Sequence, residues 1–202
     1  METTGVRTRL AMLSEHEQIV DLCTTAFADE PLTAWIHPDE ATRREHLRLM
    51  FDASLQEAIG SESVIVAVAH DNSPLGASIW HQQSPLPSIE DEDEIPGDDL
   101  LSQRLRMIQK ATDDRRPQIP HLYLPSMAVR PQSRRLGIGG MMLAAGFERA
   151  AASAVPVYLE ASSPDNRRFY ARHGFSNHDA PIHIADDAPT LQPMWRELRS
   201  LG

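Results

Sequence analysis

The stretch Met127–Ala150, MAVRPQSRRLGIGGMMLAAGFERA, constrains this chain more than any other. The apolar run Leu122–Val129 reads as a buried strand, and an alanine-rich helix follows that ends near Ser153. Between them lie Gly137, Gly139 and Gly140. Glycine permits positive φ and close backbone approach. A helix start also exposes unpaired N–H groups that, with the helix dipole, attract phosphate. Arg134 and Arg135 add charged, fork-shaped donors. Arg134, Arg135, Leu136, Gly137, Ile138, Gly139 and Gly140 therefore form a candidate pyrophosphate cradle. The plainer alternative is a glycine-bearing loop that merely starts a helix.

The remaining chain supplies the sheet that such a unit needs. Val6–Leu10 reads as a first strand, and Ser14 with Glu17 as a capping box. Ile19, Val20, Leu22, Cys23 and Phe27 then form an apolar helical stripe ending near Ala28. Pro31 and Pro38 break the loop that follows. A second helix spans 40–59, with Leu47, Met50, Phe51, Leu55 and Ile59 inward, and Gly60 stops it. Residues 63–70 and 75–82 read as a hairpin around the turn DNSP. Residues 85–99, with their prolines and acid run, read as a solvated loop, and 100–111 as an amphipathic helix. VPVYLEAS is a strand, SPDNRRFYARHG a helix, and FSNHDAPIHIA and LQPMWREL are closing strands. The expected fold is mixed α/β: one domain over 1–202, with an insert near 84–118, a cofactor core near 120–175, and one mixed sheet of six to seven strands flanked by helices.

Composition narrows the function. The chain has 202 residues, with 29 Asp and Glu against 19 Lys and Arg, for a net charge of −10. That balance argues against nucleic acid, whose phosphates need a basic footprint, and suits an amine. Cys23 is the only cysteine, so no internal disulfide forms, and a reducing, cytoplasmic setting is expected. Apolar stretches such as 137–147 are too short to span a bilayer. The nine histidines show no paired ligand spacing, so no metal is expected.

Three phosphate motifs compete for the glycine loop. A Walker loop needs Gly-Lys-Ser/Thr, but Gly139 precedes Gly140 and Met141. A dinucleotide fingerprint needs glycine where Met142 stands, and a first glycine tight against the strand. What remains is Arg-x-x-Gly-x-Gly at Arg134, Gly137 and Gly139, which is similar to the acetyl-CoA signature of the GNAT superfamily of N-acyltransferases. Downstream, YLEASSPDNRRFYARHGF resembles that family's second cofactor segment. Nearly the whole chain also resembles the branch that contains puromycin N-acetyltransferase, through AFADEPLTAWIHPD, SIWHQQSP and the segment just quoted. It departs at Glu30, where that branch has an aromatic residue before the proline.

The resemblance implies a partly splayed sheet and acetyl-CoA as co-substrate, without metal. The acceptor would be a small amine such as an antibiotic or secondary metabolite, and the protein a monomer or homodimer. It implies that Met127, Ala128 and Val129 border the pantetheine arm, that Asn166 and Phe169 belong to the cofactor segment, and that Tyr170 donates a proton to the departing thiolate. From spacing alone, Asn166, Phe169 and Tyr170 share one helix face, and Tyr170 reads first as a core tyrosine packed beside Phe169. Glu160, ending a strand, is either a base for the amine or a structural acid. Glu30, Trp35 and Trp80 are candidate acceptor contacts, and packing alone would explain either tryptophan. Two rival functions are a protein or peptide N-acetyltransferase and a non-catalytic acyl-CoA-binding sensor.

Overall fold

The computed structural model describes residues 5–84 and 95–198. Ten residues of the expected solvated loop, 85–94, lie outside them. Seven strands form one open mixed sheet in the order β1-β2-β3-β4-β5-β7-β6. They are β1 (Arg7–Leu10), β2 (Val64–Val68), β3 (Pro74–Gln83), β4 (His121–Val129), β5 (Val157–Ala161), β6 (Ser176–Asn177) and β7 (Gln192–Arg196). The helices are α1 (His16–Phe27), α2 (Pro31–Ile36), α3 (Glu40–Gly60), α4 (Leu100–Asp113), α5 (Ile138–Ala152) and α6 (Pro164–Arg172). Among the described residues, no helix is long and apolar enough to cross a membrane.

The hydrophobic pattern decides which helix covers which face. β2 is buried at every position, so its alternate side chains feed two cores. Val64, Val66 and Val68 meet α1 and α3 through Ile19, Val20, Leu22, Phe51 and Leu55. Ile65 and Ala67 meet α5 on the other face, with Met142, Leu143, Val157 and Leu159. A third, smaller cluster joins Trp35 to Ile182, Ile184 and Leu191.

Several local expectations are corrected. Ser14 is exposed and caps nothing. Glu15 precedes α1 without a side-chain cap bond to it; its carboxylate accepts from the Met12 N–H at 2.9 Å and pairs with Arg9 at 2.6 Å. Pro31 does not break the chain but begins α2, where its missing N–H costs nothing. Met50 is 44% exposed, because the buried stripe of α3 runs through Leu47, Phe51, Leu55 and Ile59. FSNHDAPIHIA keeps only the two residues of β6 and an isolated bridge from Ile182 to Leu191. Trp80 belongs to the core rather than to a pocket wall. It is 1% exposed, its Nε1 donates to Ser78 Oγ at 2.9 Å, and its ring lies on Gly146 of α5.

The sheet opens in its middle. β4 and β5 are parallel and pair only at Leu122↔Val157 and Tyr123↔Tyr158. Beyond that point β4 continues along β3 to Val129, while β5 keeps only β7, which pairs its other edge from Val157↔Arg196 to Ala161↔Gln192. Between Ile79↔Ser126 and His81↔Tyr123 the β4 strand carries one extra residue, a bulge that bends it away. Pro125 sits in that bulge without an N–H to offer β5.

The contact between α5 and Trp80 yields a direct test. A Cβ on Gly146 would lie 2.1 Å from the Trp80 ring. Gly146→Ala should therefore destabilise the protein by about 1–3 kcal/mol through overpacking, read as a Tm lowered by several degrees. An unchanged Tm would contradict this packing.

Candidate active site

A cavity of about 470 Å³ lies at the opening of the sheet. The end of α1 and its following turn supply Ala26, Phe27 and Glu30. The free end of β4 supplies Met127, Ala128 and Val129. The glycine loop contributes Arg134, Arg135, Gly137, Ile138 and Gly139, and α6 contributes Asn166, Phe169 and Tyr170. Twelve of the sequence candidates thus meet in one place.

The three glycines have different physical tasks. Gly137 has φ +78° and nothing within 4 Å of an added Cβ, so conformation alone demands glycine there. Arg135 is also left-handed, at φ 64°. Gly139 lets α6 approach, since its Cβ would sit 3.0 Å from Phe169 Cζ. Gly140 does the same for His173, whose Nε2 would lie 2.8 Å from a Cβ. Gly140 and Leu136 are not among the cavity-lining residues. The Arg134 guanidinium is partly engaged, donating to the Ala26 carbonyl at 3.1 Å and tying α1 to the loop.

α6 starts as its sequence requires. The Ser163 hydroxyl accepts from the Asn166 N–H at 3.1 Å, and Pro164 takes the first helical position. The Asn166 side-chain amide donates to Ser162 Oγ at 3.0 Å. Tyr170 packs edge-on against Phe169, with ring centroids 5.3 Å apart. Burial, and then the negative charge of Glu30, push the Tyr170 phenol above its ordinary pKa. It stays protonated and available as a donor.

Glu160 stands apart from this cavity. Its carboxylate accepts from the Tyr123 hydroxyl at 2.8 Å on the sheet face opposite α5. Burial raises its pKa, while the bond from Tyr123 and the charge of Arg116 oppose the rise. Trp35 also lies outside the cavity lining. The Arg104 guanidinium stacks 4.7 Å over its ring and donates to its carbonyl. Its indole N–H is buried without a partner among the described residues.

Other lining residues were not singled out from sequence. Ala26 and Phe27 read only as the end of an apolar stripe, and Ser162, Asp165 and Arg172 as ordinary positions around a helix. Ser163 and Pro164 do mark the start of α6, which was the available signal for that wall. Elsewhere, His16, Glu17 and Asp52 bring ligand-type atoms within 4.8 Å of one another, on the outer side of α1 and α3. Glu17 is already paired with Arg48 there.

Known proteins share this arrangement. Residues 99–177 match the model of the acetyltransferase (GNAT) domain family. A Corynebacterium glutamicum protein described as histone acetyltransferase HPA2 and related acetyltransferase is 25% identical, with 96% of each chain covered and a TM-score of 0.69. Arylalkylamine N-acetyltransferase 2 from Aedes aegypti is 14% identical over 96% of this chain and 99% of its own, with a TM-score of 0.74. PaiA N-acetyltransferase from Thermoplasma acidophilum, solved in complex with coenzyme A, is 11% identical over 96% and 99%, with a TM-score of 0.63. The chain therefore has the GNAT fold, and its residues 99–177 are similar to the acetyltransferase (GNAT) domain family.

Proposed function

We propose that this protein transfers the acetyl group of acetyl-CoA directly to the amine of a small molecule. The observation that carries this reading is the single cavity that joins the glycine loop to Tyr170 across the open sheet. The N–H groups at the start of α5, with Arg134 and Arg135, suit the pyrophosphate. The free edge of β4 at Met127–Val129 suits the amides of the pantetheine arm, as an added strand would. Asn166 and Phe169 line the same space.

The chemistry follows from the groups around it. A neutral amine attacks the thioester carbonyl; the C–N bond forms and the C–S bond breaks. Tyr170 gives its proton to the departing thiolate, and the amine loses its proton to Glu160, directly or through water. Glu30, close enough for its charge to act on Tyr170, suits a cationic acceptor. Trp35, near the end of α2, does not line the cavity. The named activities of the Aedes and Thermoplasma neighbours also support N-acetyl transfer, the former to an arylalkylamine. The likeness to the puromycin-acetylating branch puts puromycin among the acceptors to try, with Glu30 as the departure that would change the choice.

A basic peptide is the second reading. It rests on the net charge of −10 and on the histone acetyltransferase name of the Corynebacterium neighbour. CoA release measured against a panel of small amines, puromycin included, and against lysine-rich peptides separates the two. Turnover of peptides alone would overturn the small-molecule reading.

Tyr170→Phe should lower kcat by about 10²-fold or more and leave acetyl-CoA affinity nearly unchanged. Full turnover at saturating substrate would remove Tyr170 as the acid. Glu30→Gln should raise KM for a cationic amine by about tenfold while KM for acetyl-CoA holds. Equal changes in both would place Glu30 outside acceptor binding.

A further inference from the structure

We propose that Tyr123 is a positioning residue, which holds the Glu160 carboxylate in place across the β4–β5 opening through its hydroxyl. This rests on the reading of Glu160 as base and adds what orients that base.

The geometry is specific. Tyr123 is the last residue of β4 that pairs with β5. Glu160 lies just past the last paired residue of β5, where the backbone ladder to β4 has stopped. Tyr123 Oη reaches across and donates to Glu160 Oε2 at 2.8 Å. A side-chain bond thus continues the contact between the strands at the point where their backbone bonds end. It also consumes one lone pair of the carboxylate and fixes the rotation of the rest. A carboxylate so held points its remaining oxygen in one direction, as a base needs.

Tyr123 also tunes the acid that it holds. The groups facing Glu160 are Tyr123 from β4, Tyr158 from β5 itself, and Arg116 from the chain after α4. Its antiparallel partner on β7 is Pro193, which does not titrate. One step further out, Asp179 acts on Tyr158, and His178 acts on His121. Burial is the largest influence and raises the Glu160 pKa; the donation from Tyr123 is the largest influence against it. A donor to the ionised form favours that form. Removing the hydroxyl while burial persists must therefore raise the pKa further. An active base must be deprotonated, so the acid limb of kcat/KM should move to higher pH in step.

Tyr123→Phe keeps the ring and removes only the donor. The carboxyl of Glu160 is followed by carbon NMR of side-chain-labelled glutamate, with its signal assigned by its loss in Glu160→Gln. The expected result is an upward shift of about one pH unit in the Glu160 titration, matched by the same shift in the acid limb of the rate profile. A Glu160 titration that does not move in Tyr123→Phe overturns the inference. A titration that moves while the rate profile does not leaves Tyr123 as the group that sets Glu160 and removes Glu160 as the base.

Discussion

The structure depends on where backbone hydrogen bonding between β4 and β5 stops. Two pairs form, and then the strands part. Parallel neighbours normally continue to the end of the shorter strand, because an unpaired buried N–H or C=O is costly. Here two features make the parting tolerable. The bulge bends β4, and Pro125 has no donor to lose. What stays exposed is the polar edge of Met127–Val129, within a cavity that can accept an extended ligand. The opening thus gives a defined edge for recognition, while the far edge of β5 stays paired with β7 along its whole length.

Around that opening, burial and charge give two acids different surroundings. The Tyr170 phenol is raised by burial and by Glu30, so it remains a donor. Glu160 is raised by burial, and the Tyr123 bond and Arg116 oppose the rise. In the proposed reaction the first would give a proton and the second would take one.

Much of this was legible in the sequence because it is local. Ser163 and Pro164 announce α6, and Asn166, Phe169 and Tyr170 share a face by spacing. The glycine loop marks the start of α5, although spacing alone does not tell that Gly140 and Leu136 fall outside the cavity lining. Non-local facts were not legible. Nothing in Trp80 alone says that Gly146, far along the chain, makes room for its ring. Nothing in Tyr123 says that its hydroxyl meets Glu160, because that contact depends on strand order and register. Pro31 was misread for a related reason: a proline ends a helix from within but begins one at its first position, and the chain around it decides which. The expected Ser14 cap is absent, and the Glu15 carboxylate instead accepts from the Met12 N–H and pairs with Arg9, a contact that spacing alone does not reveal.

If the open sheet edge and the glycine loop together receive the coenzyme, amide hydrogen exchange with and without CoA reads it residue by residue. Exchange should slow at Met127–Val129 and at Gly137–Gly139, with little change around Trp35. Protection that is absent from both segments, or that appears only elsewhere, would contradict it.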